Sequence, residues 1–347
     1  MTPRSVAVQG GLAFLALCAA YATWQRAPEL GAGEVFVLNL TKNELEKVRF
    51  DDETGKSWTE LGRSSDADGP FITVRLSGYD NTGAALPSGH PGIALKQAER
   101  LVRGNEAAER LFDRFTPMRA VRALGVLDPG KLKELGLDDS KKSIEVTTRG
   151  VKHKFAIVPA PPGGTDPYIR DTQDNKVYVV PRQILSDLQS ATTNLLDRRL
   201  HSFKMEEVER VEIDSGGKKR AFAVMRIEDF AGVRLAPAET PDKPDPTLKN
   251  WHDKLFAAFP NEVLGQGEVP ASGPPVVAFR VDYLARGGRK VGFLEIARSA
   301  NAATSSPAAA APAVDIYARS EHALGWMRLP ADTQNLVAEG ERLLAKK

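Results

Sequence analysis

The strongest constraint on the fold of this chain is a segment that the sequence states twice. Residues 168–181 predict a strand, a polar turn, a second strand and a helix that begins after a proline. Residues 317–330 align with them without a gap, so that Tyr317-Ala318-Arg319 takes the positions of Tyr168-Ile169-Arg170. A supersecondary unit that recurs in one chain predicts two similar domains in tandem.

The segments around this unit predict the same architecture in both halves. Strands joined by short polar turns recur along the chain, at residues 45–59, 143–158, 207–224 and 276–296. We therefore predict an α+β fold that is a tandem duplication of an αβ unit, in which helices cover an antiparallel sheet. The first repeat is expected to span residues 31–199 and the second residues 200–347, after an N-terminal segment of residues 1–30.

Apolar residues at steps of three and four predict the helices that pack on these sheets. In the first half they recur over residues 95–115, with a break allowed at Gly104-Asn105. In the second half residues 255–259 match residues 111–115, and each segment places a leucine and two phenylalanines on one side. Further helices are predicted at residues 132–137, at residues 184–196, and around Leu336, Val337, Leu343 and Leu344.

Charge and cysteine content exclude several kinds of partner and site. The chain has 47 basic and 45 acidic residues and a net charge of +2, so no broad positive field attracts nucleic acid. Its one cysteine, Cys18, lies in the N-terminal apolar segment. The rest of the chain therefore has no disulfide, no thiolate nucleophile and no zinc–thiolate site.

The N-terminal segment is predicted to hold the protein at a membrane. Residues 5–23 carry no charge, follow Arg4 and end before Trp24. As a helix they would be about 28 Å long, just sufficient for a hydrocarbon core of about 30 Å. Three interpretations stay open: a retained membrane helix, which we prefer, a signal peptide cleaved after residues 20–22, and a lipoprotein signal that ends at Cys18. All three place the body in the bacterial periplasm.

Two tyrosine–arginine pairs are the candidate binding residues. Because side chains alternate along a strand, Tyr168 and Arg170 share one face of the sheet. Tyr317 and Arg319 do the same in the second repeat. One interpretation is a cation–π pair stacked on the solvent-exposed face. The other is a ligand site with one arginine from each repeat.

No catalytic residue, metal site or cofactor is assigned. The histidines are scattered without metal-binding spacing, at His90, His153, His201, His252 and His322. Gly55-Lys56-Ser57 resembles the end of a phosphate-binding loop, but the glycine required five positions earlier is replaced by Phe50. A glycan hydrolase that uses carboxylates such as Asp166, Asp171 and Asp174 stays open as an alternative.

Four motifs occur in a recognisable order. They are Leu135-Gly136-Leu137, Tyr168-Ile169-Arg170, Val177-Tyr178-Val179, and Leu196-Asp197-Arg198-Arg199-Leu200 before Phe203. This order resembles the bacterial family named domain of unknown function 4340 over residues 35–203, and more loosely through the second repeat. The chain departs from the family where Asp139-Ser140 replaces a proline, and where an unusually long loop precedes the first helix.

The resemblance implies an N-terminal membrane helix followed by a repeated extracytoplasmic αβ unit. Genes of the family often neighbour Gld-type ABC transporters and their GldG-like accessory subunits, and the family has no established catalytic residues. We therefore expect a non-catalytic, membrane-anchored accessory protein whose partner is an ABC transporter permease or a GldG-like subunit. A periplasmic solute-binding sensor that uses Arg170 and Arg319 is the first alternative, and an envelope hydrolase is the second.

Overall fold

The computed structural model of the protein describes residues 13–18, 21, 30–31, 33–78, 99–226, 233–270, 272–299 and 314–345. The predicted membrane segment, residues 5–23, lies mainly outside this part of the chain, as do residues 79–98 and 300–313. Within the described residues, no helix combines the length and the apolar character that crossing a membrane requires.

The first half of the chain forms a nine-stranded sheet. Its strands are β2 (Leu45–Asp52), β3 (Ser57–Asp66), β4 (Gly69–Ser77), β5 (Arg100–Arg103), β7 (Arg122–Val126), β8 (Lys142–Thr148), β9 (Val151–Val158), β10 (Tyr168–Asp171) and β11 (Lys176–Val179). Their order across the sheet is β5-β4-β3-β2-β8-β9-β10-β11-β7, and neighbouring strands run antiparallel. Two further strands, β1 (Val35–Leu38) and β6 (Met118–Ala120), pair with each other in a small sheet.

The second half forms an eight-stranded antiparallel sheet. Its strands are β12 (Arg210–Ser215), β13 (Lys218–Arg226), β14 (Val233–Pro237), β15 (Glu262–Val263), β16 (Pro275–Leu284), β17 (Lys290–Ser299), β18 (Ile316–Ser320) and β19 (Met327–Arg328). Their order across the sheet is β14-β13-β12-β16-β17-β18-β19-β15. The predicted α+β class with antiparallel sheets is therefore confirmed.

The two sheets share one order of strands. The order β4-β3-β2-β8-β9-β10-β11-β7 in the first sheet corresponds, strand by strand, to the complete order of the second, and β5 is an addition at one edge. The registers agree as well, because Tyr168 pairs with Val179 and, at the aligned positions, Tyr317 pairs with Arg328. The residues that repeat in the sequence thus occupy equivalent places in the two sheets.

Tight turns fix the register of the central hairpins. Arg149 and Gly150, between β8 and β9, have φ values of 48° and 74°. Gly216 and Gly217, between β12 and β13, have φ values of 57° and 84°. Two consecutive residues with positive φ form the type of two-residue turn that matches the twist of antiparallel strands. Three of these four positions are glycine, which adopts such values without steric strain.

Six α-helices lie among residues 99–345 of the described chain. They are α1 (Glu106–Asp113), α2 (Pro129–Glu134), α3 (Arg182–Gln189), α4 (Ala191–Asn194), α5 (Pro246–Phe256) and α6 (Thr333–Ala345). α1 begins after Asn105, whose side chain accepts hydrogen bonds from the amides of Ala107 and Ala108. α5 begins after Asp245, which accepts from two amides in the same way. Buried apolar side chains from five of these helices and from both sheets form one continuous core cluster, whereas Leu132 of α2 belongs to a smaller, separate cluster.

The helix predicted over residues 95–115 is wrong for residues 100–103. These residues form the edge strand β5, in which Val102 pairs with Val74 of β4. Two adjacent apolar residues, Leu101 and Val102, fit a strand as well as a helix, so periodicity could not separate the two structures. Gly104 then turns the chain toward α1 at close range, since its amide donates to the carbonyl of Ile72 at 2.7 Å.

Three other helix boundaries differ from the prediction. Pro129 and its cap Asp128 start α2 ahead of the predicted residues 132–137. The helix predicted over residues 184–196 is divided into α3 and α4 at Ser190. α5 ends at Phe256, so Phe259 is not helical and is 64% exposed. Pro260 follows Phe259, and a residue before proline is disfavoured in the helical conformation.

Gly340 offers a test of how closely α6 packs. A Cβ atom at this position would lie 2.8 Å from a ring carbon of Trp251 and 3.0 Å from one of Phe279, both buried. We expect G340A to lower the free energy of unfolding by roughly 1–3 kcal/mol through overpacking. This would occur although alanine is a better helix former than glycine by about 1 kcal/mol.

Urea unfolding followed by circular dichroism measures the effect. N335A, at an exposed position of the same helix, is the matched control and should change stability by no more than about 0.5 kcal/mol. A G340A protein as stable as the wild type would show that α6 does not pack as described.

Candidate functional site at the junction of the two sheets

Residues 196–203, called the junction segment below, connect the last helix of the first half to the second sheet. Its apolar residues Leu196, Leu200 and Phe203 are buried. Leu196 also forms a β-bridge with Gly104, beside the edge strand β5. The junction segment is therefore packed between the two halves and does not form a free linker.

Asp197 is the most enclosed charged residue of the junction segment, with 2% of its surface exposed. Its carboxylate accepts a hydrogen bond of 2.8 Å from Nε2 of His322 and one of 2.6 Å from Nη2 of Arg199. Burial alone would raise the pKa of Asp197, but the hydrogen bonds from His322 and Arg199 hold it well below its ordinary value. The carboxylate is thus kept ionised inside the junction.

Arg103 ties β5 of the first sheet to the same place in the second half. Its Nε donates to the carbonyl oxygen of His322 at 2.9 Å, and its guanidinium is ion-paired with Asp66. The guanidinium carbon also lies 3.7 Å from the ring centroid of Phe71. Since Arg103 is 8% exposed, these contacts replace the water that a free guanidinium would bind.

Glu321, next to His322, binds the other end of the junction segment. One carboxylate oxygen lies 3.2 Å from Nδ1 of His201, and the other accepts a hydrogen bond of 2.9 Å from the amide of Phe293. Ser202 donates from its hydroxyl to Asp68 of the first sheet at 3.1 Å. The turn between β18 and β19 therefore holds both ends of the junction segment.

A cluster of aromatic rings, called the aromatic cluster, lies beneath this turn. It consists of His201, Phe203, His252, Phe256 and Tyr283. The ring of His201 stacks on that of Phe256, with the ring centroids 4.5 Å apart. The ring centroid of His252 lies 5.8 Å from that of the same Phe256. Both nitrogens of His252 and the hydroxyl of Tyr283 are buried and have no hydrogen-bond partner in the described part of the chain.

Burial sets the protonation of the aromatic cluster. It lowers the pKa of His252 to about 4; the nearby Asp253 opposes this shift, and His201 and Lys249 add to it. Burial likewise raises the pKa of the Tyr283 hydroxyl far above its ordinary value. At neutral pH both side chains are therefore uncharged, and they contribute packing to the core of the second half.

The arrangement is suited to fixing the two halves relative to each other. Asp197, His322 and Arg103 are all buried and mutually engaged. Among the described residues, no three histidine, cysteine or carboxylate side chains are placed so that they could hold a metal ion.

The predicted pair Tyr168 and Arg170 lies on β10, remote in sequence from the junction. Both residues are partly buried, and Ile169 between them is fully buried on the opposite face, as alternation predicted. Tyr168 packs against a small apolar cluster formed by Leu132, Leu137 and Val177. The Nε of Arg170 is buried and, within the described residues, lacks a hydrogen-bond partner.

The second predicted pair is arranged differently. Tyr317 is 4% exposed, and its hydroxyl lies 3.1 Å from the hydroxyl of Ser272. Arg319 donates to Glu295 at 2.7 Å and stacks over Trp326 with its guanidinium carbon 4.8 Å from the ring centroid. The predicted stacking of arginine on tyrosine is therefore wrong for this repeat, because Glu295 and Trp326 hold the guanidinium.

The three carboxylates considered for hydrolysis each accept hydrogen bonds from backbone amides. Asp166 accepts from the amide of Arg182 at 3.2 Å. Asp171 accepts from the amide of Gln173 at 2.8 Å, and Asp174 accepts from that of Lys176 at 3.0 Å. Bonds of this kind are typical of aspartates that stabilise turns and helix starts.

Sequence reasoning missed the junction because its residues are far apart in the chain. His201, His252 and His322 were read as scattered, yet the first two share the aromatic cluster and the third binds Asp197. One signal was present in the repeat. Glu321-His322 occupies the positions that align with Thr172-Gln173, so the second copy differs in charge where it meets the junction segment.

Removing the buried carboxylate should destabilise the whole body. In D197A, His322 loses its partner and a cavity opens, so we expect the free energy of unfolding to fall by roughly 2–4 kcal/mol. D171A is the matched control, because Asp171 serves an exposed turn and its loss should cost less than about 1 kcal/mol. Urea unfolding at pH 7 compares them, and equal losses would contradict a central role for Asp197.

His252 should make the protein sensitive to acid. Because its pKa in the folded protein is lower than in the unfolded chain, the unfolded chain takes up a proton first as the pH falls below about 6.5. Stability is therefore complete above that pH and declines toward pH 4. We expect H252F to reduce the loss of unfolding free energy between pH 7 and pH 4.5 by roughly 2–3 kcal/mol.

The variant H252Q separates titration from packing in this experiment. Glutamine does not titrate but remains polar, so both variants should flatten the dependence of stability on pH. If the wild-type dependence persists in both, another group is responsible.

The comparison with known proteins yields one match. Residues 104–229 match the family model described as Domain of unknown function (DUF4340). The matched range extends from the start of α1 past the end of β13 and includes the whole junction segment. No curated protein and no solved structure matches the chain. The resemblance found in the sequence motifs is thereby confirmed over residues 104–229.

Proposed function

We propose that this protein is a non-catalytic accessory protein with its body in the periplasm. Residues 1–30 would tether it to the bacterial cytoplasmic membrane, and the body would bind a membrane partner. The partner proposed from the family resemblance is the permease of an ABC transporter or a GldG-like subunit. The match over residues 104–229 supports the family on which this proposal rests.

The body is proposed to have arisen by duplication of one αβ unit. The common strand order and the equal register at Tyr168 and Tyr317 support this origin. After duplication each copy would need a surface for the other. The buried residues of the junction segment, together with the turn that carries Glu321 and His322, supply such a surface.

One observation carries the proposal most directly: the polar side chains at the centre of the molecule are used to join the two halves. Asp197, Arg103 and His322 form a closed set of buried contacts across the junction. Such a set favours one fixed arrangement of two modules over a hinge that opens for substrate. A rigid body of this kind is suited to presenting a composite surface to a partner.

The two alternatives receive less support from the geometry. A sensor with one ligand arginine in each repeat requires Arg319 to be available, whereas Glu295 and Trp326 engage it. A hydrolase needs two carboxyl groups facing a substrate, whereas Asp166, Asp171 and Asp174 accept hydrogen bonds from backbone amides.

Co-purification from the native bacterial membrane tests the proposal. The tagged full chain, crosslinked in cells and solubilised in a neutral detergent, should enrich a transporter permease or a GldG-like subunit. A control bait that joins residues 1–30 to an unrelated soluble domain measures capture by the membrane segment alone. The proposal fails if no transport component is enriched, or if the control bait enriches it equally.

A further inference from the structure

A cleft of about 400 Å³ opens beside the junction segment, and both halves contribute to it. This junction cleft is lined by α1, by the end of α4, by the first residues of the junction segment and, from the second half, by Phe259. The charged, polar and aromatic side chains of its lining include Asn105, Glu106, Arg110, Arg198, Arg199 and Phe259.

Arg198 is the side chain of the junction segment that has no hydrogen-bond or ion-pair partner among the residues that the structure describes. The apolar residues of the segment, Leu196, Leu200 and Phe203, are buried in the core. Asp197 is hydrogen-bonded to Arg199. His201 contacts Glu321, and Ser202 donates to Asp68. Arg198 is partly buried in the wall of the cleft, and its Nε is shielded from solvent without a hydrogen-bond partner. A guanidinium that is partly desolvated and has no acceptor among the described residues gains free energy when a ligand brings a carboxylate to its other nitrogens.

The charges of the cleft leave one positive charge uncompensated. Arg110 is paired with Glu106 at 3.4 Å, and Arg199 with Asp197 at 2.6 Å, so Arg198 remains. The N-terminus of α1, at Asn105 and Glu106, faces the same cleft, and the positive end of a helix adds to the attraction for an anion. A carboxylate suits this environment because guanidinium binds it through two parallel hydrogen bonds.

Phe259 adds an apolar contact at the rim. Its ring is 64% exposed, and it stands on the opposite half from Arg198. An exposed phenylalanine next to an unpaired arginine combines two residue types that are enriched in the centres of protein interfaces. A ligand that filled the cleft would therefore meet an aromatic face and a cation together.

The openness of the cleft favours a peptide over a small molecule. Sites for small molecules enclose most of the ligand surface. Here the side chains of Arg110, Arg199 and Glu106 are 66%, 59% and 75% exposed, so the walls are low. An extended segment can place one carboxylate at Arg198 and one apolar side chain on Phe259 while its ends continue into solvent.

We infer that the junction cleft binds an acidic segment of a partner protein, with Arg198 holding a carboxylate and Phe259 contacting an adjacent apolar side chain. This inference deepens the proposed function, since it names the surface at which the accessory protein meets its partner. It requires both halves in their fixed arrangement, because Arg198 and Phe259 come from different halves.

Fluorescence anisotropy with a defined probe tests the inference. The probe is a fluorescein-labelled, C-terminally amidated peptide, Glu-Glu-Trp-Glu-Glu, titrated with the full chain in neutral detergent. We expect saturable binding with a dissociation constant of about 1 mM or tighter. R198A should weaken it by at least about tenfold, and F259S by severalfold, because each removes one of the two contacts. R286A, which removes an exposed arginine outside the cleft, is the matched control and should bind as the wild type does.

Several outcomes would overturn the inference. The first two are the absence of saturable binding and an affinity of R198A equal to that of the wild type. The third is that a peptide with lysine in place of glutamate binds as tightly as the acidic peptide. The fourth is competition by free glutamate at the same concentrations as the peptide, which would indicate a site for small anions. Because Arg198 has no intramolecular partner, R198A should keep the wild-type thermal midpoint, so a loss of binding would not reflect unfolding.

Failure of this inference can be distinguished from failure of the proposed function. If the peptide does not bind but a transport component still co-purifies with the full chain, the partner uses another surface. If the peptide binds and no transport component co-purifies, the cleft is a binding site and the proposed partner is wrong.

Discussion

The carboxylate of Asp197, buried between two sheets, is the interaction on which the rest of the structure depends. Placing a charge in such a position carries a desolvation penalty of several kcal/mol, which only well-aligned hydrogen bonds offset. Here His322 supplies one such bond from the second half and Arg199 supplies another from the junction segment. The carboxylate of Asp197 has both hydrogen bonds only when the two halves are docked. It therefore favours one arrangement of the two halves. Apolar packing in the aromatic cluster adds stability without fixing the orientation as closely.

Local signals in the sequence were sufficient to predict most of the strands and the hairpins that join them. The hairpin turns, the alternation in the strands and the repeat itself are short-range patterns, and the shared register at Tyr168 and Tyr317 follows from them. β5 was mistaken for helix because its stability comes from pairing with β4, a strand that ends at Ser77, well before β5 begins at Arg100. Two adjacent apolar residues, Leu101 and Val102, contain no information about that partner.

The junction could not be predicted for a related reason. Asp197 and His322 are distant in the chain, and only the folded arrangement of the halves brings them within 2.8 Å. The sequence repeat also led to a wrong expectation. Because Arg170 and Arg319 occupy equivalent backbone positions, the repeat suggested that the two side chains have equal roles. In the structure Glu295 neutralises Arg319, whereas Arg170 has a shielded nitrogen with no hydrogen-bond partner. The sequence repeat therefore predicts the backbone at residues 317–330 better than the roles of the side chains there.

The junction segment also shows how stability and binding divide among neighbouring residues. Ion pairs at exposed positions contribute little to folding, typically no more than about 1 kcal/mol, so an arginine without any partner contributes less still. Arg198 is such an arginine among the described residues, whereas Asp197 and Arg199 on either side of it are paired with each other. Folding alone thus gives no physical reason for a guanidinium at residue 198. A carboxylate brought by another chain would give one, and it would meet Arg198 where the fixed junction has already placed Phe259.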